Sequence, residues 1–153
     1  MITIKETRQC DTRAKGFKAE ELTEEIVEKE TKDHIAAVRK TIAFLAEAML
    51  EQAKEHDHTK LGKHLSAFTK ELANNFETEE WYKMHCETER HHLLKHVPKD
   101  VNLIDVLEMV ADGVCAGLAR NGSCYDIEIP EEVLLKAVKN TQELLIKNIK
   151  VVK

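Results

Sequence analysis

Apolar positions recur at helical spacing along most of this chain. Between Glu20 and about Lys54, positions 34, 38, 41, 42, 45 and 49 (His, Val, Thr, Ile, Leu, Met) share one face, which predicts a long helix with a break near Thr31. Leu61, Leu65, Phe68 and Leu72 form the stripe of a second helix, from near His56 towards Asn74-Asn75. Thr78 followed by Glu79 and Glu80 marks a third, because acidic side chains suit a first turn. That helix is expected to carry Trp81, His85, His91 and His92 and to end before Pro98. Asp100 is placed to cap a fourth helix through Leu103, Val106, Leu107, Val110 and Val114, stopping at Asn121-Gly122. Pro130 with Glu131-Glu132 opens a last one, Glu131 to Lys150, with Val133, Leu134, Ala137, Val138, Leu144 and Leu145 inside. Residues 1–18 lack periodicity and read as an N-terminal arm, extended or packed on an edge. There is no internal repeat or linker, so residues 19–153 are expected to form a single compact all-α domain of about five to six helices.

Composition agrees with that pattern and narrows the function. With 42% apolar and 33% charged residues, the 153-residue chain is globular and large enough for a core. Five glycines and two prolines leave helix favoured throughout. A net charge of −5 argues against general nucleic-acid binding, although a bound metal would make one site locally positive and admit an anionic substrate. Cys10, Cys86, Cys115 and Cys124 form no C-x-x-C pair, which argues against a thiolate zinc knuckle and for reduced thiols in a cytoplasm. Met1 to Glu6 has no apolar leader, and the longest apolar stretch, Thr41 to Leu50, is too short to span a bilayer. The final amphipathic helix can pack within its own domain or pair with a second chain, so a homodimer is open.

Histidine distribution supplies the chemistry. All eight histidines lie between positions 34 and 96, and the last 57 residues contain none. Imidazole and carboxylate together suit divalent ions of the Zn, Mn, Fe, Co and Ni type. His56 and Asp57 are adjacent, and neighbours on a helix project about 100° apart, so both reach one centre only near a helix end or bend. His34 precedes them by 22 residues, room for a helix and a turn that bring it back to the same depth. Asp112 lies on the apolar side of its helix, in line with Asp105, Glu108 and Cys115, where a bare carboxylate must be paired or ligated. Isolated histidines such as His58, His64 and His96 are better read as ordinary polar groups. A hemerythrin-like bundle does not fit: His85 with Glu89 and His92 with His96 share one helix instead of facing each other.

The ordered set His34, His56-Asp57 and Asp112, with the run His56-Asp57-His58-Thr59-Lys60, resembles the HD-domain superfamily of metal-dependent phosphohydrolases, which are all-α. Trp81-x-x-x-His85, Glu89-Arg90-His91-His92, Glu108-Met109 and Asp112 are similar to a smaller bacterial and phage family within it, of uncharacterised function. The resemblance covers roughly residues 31 to 120 and implies a primary metal on His34, His56, Asp57 and Asp112. It also implies a second metal on His85 and one of His91 or His92, bridged by Asp57. As the two histidines would point to different sides of a helix, His92 is the favoured ligand.

One or two divalent transition metals would then activate water for attack on a small phosphomonoester or a nucleotide. Asp57, Lys60 and Arg90 are the catalytic candidates, with Lys60 and Arg90, and also Arg39, as phosphate contacts or else solvated cations. Glu108 and Asp105 read either as groups that orient a ligand histidine or as solvent-facing acids. Trp81 with Tyr82 reads either as one wall of a substrate pocket, stacking on a base, or, the preferred reading for Trp81, as core packing. A di-iron oxygenase on the same scaffold and a non-enzymatic metal module are the alternative functions.

Overall fold

In the computed structural model, which describes all of residues 1–153, most of the chain is helical and a single pair of short strands joins its ends. Helix α1, Glu24–Lys54, contains neither Gly nor Pro. Thr23 Oγ1 accepts from Ile26 N at 3.2 Å, Glu24 and Glu25 occupy the first turn, and Lys54 the last, all favourable to the helix dipole. The expected break near Thr31 is absent.

The second expected helix starts later than the apolar stripe implies. His58–Lys60 and Gly62–His64 are single 3-10 turns, and α2 covers only Leu65–Ala73. Helix α3, Glu80–Thr88, stops well short of Pro98, and residues 89–102 run without regular structure. Helix α4, Leu103–Asn121, is capped by Asn102 and not by Asp100. The Asn102 side chain accepts from Ile104 N at 2.8 Å while Asp105 accepts from Asn102 N at 2.9 Å, a reciprocal capping box. Gly122, φ 70°, ends α4 in the left-handed region that glycine adopts most readily. Helix α5 is Glu131–Asn148, and the residues expected to extend it form a strand instead.

That strand, β2 (Ile149–Val152), pairs in parallel with β1 (Ile2–Lys5), Ile2 opposite Ile149 and Lys5 opposite Val152. The N-terminal arm therefore begins as a sheet edge. Ile2, Ile4, Ile149 and Val151 supply the β-branched side chains that make four-residue strands worthwhile.

Residue contacts group the chain into two compact units, one of Met1–Ala48 with Glu143–Lys153 and one of Met49–Gln142. In the first unit Lys5 Nζ donates to Asp33 at 3.0 Å and Gln9 N donates to Glu30 at 2.5 Å. In the second, Leu93, Val101, Val106, Val133 and Ala137 form a buried cluster flanked by Val97, Leu103, Met109 and Ile129. Burying Leu93 alone contributes on the order of 2 kcal/mol, and it fixes the irregular segment that carries the two histidines before it.

Gly117 lets a loop close on α4. A Cβ there would stand 2.5 Å from Tyr125 N and 2.6 Å from Ser123 O. The four cysteines are free thiols, and no helix is long and apolar enough to cross a membrane.

Candidate metal centre

The angular problem posed by adjacent His56 and Asp57 is solved by ending the helix. α1 stops at Lys54, and Asp57 adopts φ 57°, ψ 21°, a left-handed conformation that Asp tolerates better than most side chains. Both side chains then face one centre. His56 Nε2 lies 3.6 Å from Asp57 Oδ2 and 3.7 Å from Asp112 Oδ1 on α4.

The other Asp57 oxygen serves a second group. Asp57 Oδ1 is 3.6 Å from His85 Nε2, which comes from α3, and 3.7 Å from His91 Nε2. His92 Nε2 is 2.7 Å from His85 Nε2. Asp57, His85, His91 and His92 form one set able to hold an ion, and His56, Asp57 and Asp112 form another; a third, His56, His91 and Glu108, overlaps both. His91 and His92 lie beyond the end of α3, in a turn, so both reach the cluster instead of pointing to different sides of a helix.

Neighbouring groups orient these side chains. Thr59 Oγ1 is 2.6 Å from Glu89 Oε1 and 2.6 Å from His85 Nδ1. Thr59 has one hydroxyl proton; donated to Glu89, it leaves the oxygen to accept from His85 Nδ1–H. His85 Nε2 then presents a lone pair to the cluster. Trp81 stacks on the same ring at 4.6 Å with 19° between planes, and its indole N–H donates to Thr59 O at 3.2 Å. Glu108 Oε1 is 2.8 Å from His56 Nδ1 and 3.2 Å from His91 Nδ1, the latter not aligned for a hydrogen bond. Gln52 Nε2 anchors Glu108 at 2.5 Å and Asp105 at 2.9 Å.

Three ligand atoms remain unsatisfied in the interior. Asp57 Oδ1, His91 Nδ1 and His91 Nε2 are buried with no hydrogen-bond partner. Buried polar atoms rarely go unpaired, and here three gather among imidazoles and carboxylates, the donor set of a transition-metal ion. The residues present fit such an ion.

Electrostatics follow from burial and charge. Desolvation pushes His85 and His92 down to about 4, helped by an adjacent imidazole and the Lys60 ammonium and only partly opposed by nearby carboxylates, so both are neutral bases at neutral pH. His91 is also pushed down by burial, but Glu108, Asp57 and Asp112 outweigh it and raise it above its ordinary value. Glu108 is raised by burial, yet the His91 ring beside it and its bonds to Gln52 and His56 bring it down to about 2. Burial likewise raises Asp57, and the Lys60 ammonium 2.5 Å from Oδ2 leads the interactions that hold it below the usual carboxylate range.

Two expected residues stand elsewhere. His34 belongs to the first unit, where it lines a depression with Thr7, Cys10, Asp11, Arg13 and Ala14. The long helix and the turn expected between His34 and His56 are both present, α1 running unbroken to Lys54, but His34 belongs to none of the sets able to hold an ion. Arg90 forms two bonds to the fully buried Asp105, at 2.7 and 2.8 Å, and a third to Asp100 at 3.1 Å, so its guanidinium is held by carboxylates. His56, Asp57, Lys60, His85, His91, His92 and Asp112 are all brought together. Thr59, Glu89 and Gln52 were missed by sequence reasoning, although Glu89 stands four residues after His85, one helical turn away.

Asp112 borders two openings. One, about 320 Å³, lies between the end of α1 and α4; the other, about 220 Å³, is lined by Tyr82, His91, His92, Lys95 and Tyr125 among others.

Residues 23–150 match the model of a family described as a family of unknown function (DUF5662). No curated protein and no solved structure matches the chain.

Proposed function

We propose that this chain, which belongs to the DUF5662 family of unknown function, is a metal-dependent phosphohydrolase acting on a small phosphomonoester or nucleotide. The observation that carries the reading is the Asp57 carboxylate: Oδ2 faces His56 while Oδ1 faces His85 and His91, and Oδ1 is buried with no hydrogen-bond partner. A carboxylate shared in this way suits two ions side by side, the HD-type arrangement expected from the sequence, here with no part for His34.

His56, Asp57 and Asp112 would hold one ion and Asp57, His85, His91 and His92 the other, with Mn, Fe, Co, Ni or Zn suited to the ligands. What divalent ions supply when bound is Lewis acidity toward a phosphoryl oxygen and a lower pKa for bound water. Thr59 and Glu89 hold His85 in the tautomer whose Nε2 is free, and Glu108 does the same for His56. Lys60, bound to Asp57, provides a positive charge beside the cluster for a phosphate oxygen. Hydrolysis adds water across the P–O ester bond and releases phosphate and an alcohol.

Phosphate release from p-nitrophenyl phosphate and nucleoside monophosphates, with Mn or Co added to metal-stripped protein, tests the reading. Metal-stimulated release lost in Asp57→Ala supports it; release at the wild-type rate in Asp57→Ala sinks it.

The three imidazoles around Asp57 Oδ1 favour one second reading, a di-iron oxygenase, because imidazole-rich sites suit redox-active iron. Oxygen uptake by iron-loaded protein without phosphate release would select it.

A further inference from the structure

We infer that the opening between α1 and α4 binds the organic part of the substrate and that this part is an apolar group, such as an aryl or branched alkyl alcohol, instead of a nucleoside. The inference deepens the hydrolase reading and rests on it for the phosphate end only.

The opening is lined on its apolar side by Met49, Ala53, Ile104, Leu107, Ala111 and Cys115. Its polar lining consists of Gln52, His56, Glu108 and Asp112, three of which belong to the ion-binding sets. An apolar wall thus runs directly into the reactive cluster, the usual anatomy of a small-molecule site with a few convergent polar groups. At about 320 Å³ it stands at the small end of such pockets.

Chemistry decides against a nucleoside. A base and ribose need hydrogen-bond partners, and a site that buries them without partners loses binding. The Gln52 amide nitrogen is committed to Asp105 and Glu108, and the apolar wall offers no side-chain donor but the weak Cys115 thiol. No Lys or Arg lines the opening, while two carboxylates do, so a phosphate finds favourable charge only at the cluster itself. The substrate is therefore oriented with phosphate at His56 and Asp112 and its apolar group toward Leu107 and Ala111.

Calorimetric titration of the Zn-loaded full chain with phenylphosphonate, methylphosphonate and adenosine monophosphate tests this, with Leu107→Ala and Ala111→Trp as variants. Phenylphosphonate is expected to bind at least about tenfold more tightly than methylphosphonate, the scale of one well-housed apolar group, and more tightly than the nucleotide. Both variants are expected to erase that advantage while leaving methylphosphonate binding unchanged. No phenyl advantage in the wild type, or an advantage that survives Ala111→Trp, overturns the inference. So does a dimer that Ala111→Trp converts to monomer without altering ligand binding, since the opening would then be an interface between copies. A parallel NMR titration with 1-naphthol, run beside a phosphate-release assay on 1-naphthyl phosphate, separates the two readings. Shifts at Leu107, Ala111 and Cys115 without any phosphate release leave the apolar site standing and remove the hydrolase. Phosphate release with no phenyl preference does the reverse.

Discussion

The Thr59 hydroxyl lies 2.6 Å from His85 Nδ1 and decides which nitrogen of that ring is free. All three members of the chain Glu89–Thr59–His85 are buried, at 4%, 1% and 1% exposure, so neither water nor a rotamer change can substitute for the hydroxyl. Thr59→Val keeps the shape and removes the bond. It is expected to cost about 1–3 kcal/mol in urea unfolding, the penalty for leaving buried partners unsatisfied. Metal affinity measured by calorimetry should fall about 10–100-fold, as when other partners that orient a ligand histidine are lost. Thr59→Ser should restore affinity, because the hydroxyl returns. A serine variant as weak as valine would count against the orienting role.

Asp57→Asn preserves volume and the tolerance of a left-handed backbone while removing charge from both ion sets. Elemental analysis of protein purified without chelator is expected to show less than about one metal per chain, against about two for wild type, with the helical circular-dichroism signal unchanged. Wild-type metal content in Asp57→Asn would remove the shared carboxylate from the proposal.

His91 and His92 are both expected to matter, because both rings reach the cluster from one turn. Alanine at either position should lower metal content and raise the metal concentration needed for half-maximal phosphate release. An inert His91→Ala or His92→Ala would restore the picture in which only one of them ligates. His34→Ala, by contrast, is expected to leave metal content within error of wild type, since His34 lies in the other unit.

Acid should destabilise the metal-stripped protein before it protonates the carboxylates. His85 and His92, pushed down by burial to about 4 in the folded chain, titrate near 6.5 once exposed. The unfolded chain therefore binds more protons between those values, and stability falls as pH is lowered through them. His91 has the opposite sign: raised in the fold, it contributes stability below 6.5 that is lost as pH climbs through its folded value. Two rings against one leave a net loss on acidification. Glu108, held down at about 2 against 4.5, adds a further loss as pH falls below 4.5. Urea midpoints in chelator are expected to be lower at pH 5 than at pH 7; an equal or higher value at pH 5 would contradict the assigned burial.

Sequence reading carried furthest where one local signal sufficed. The histidine-rich interval and Asp112 on its apolar stripe were visible because composition and helical phase are properties of neighbours along the chain. His34 failed for the same reason: phase puts it on the apolar stripe of α1 but says nothing about which distant residues that stripe meets, and its ring joins none of the ion-binding sets. The misreading of His91 and His92 came from extending α3 to the next proline, when Glu89 ends it by turning its backbone extended, φ −82°, ψ 115°, and spends its side chain on Thr59. Arg90 looked like a phosphate contact because its partner Asp105 is fifteen residues away, a pairing that only tertiary structure makes. The parallel strands were hidden because each is four residues long and its partner lies at the other end of the chain.

Gly117 extends this from side chains that are present to one that is missing. The loop from Ser123 to Tyr125 has no regular structure of its own to set its height along α4. It rests where a hydrogen replaces a methyl group, and any larger residue would push it outward. The distance at which Tyr125 stands from His91 and His92 across the smaller opening is thus set from behind, by a position that touches neither ligand nor solvent. Shape on one face of α4 becomes aperture on another.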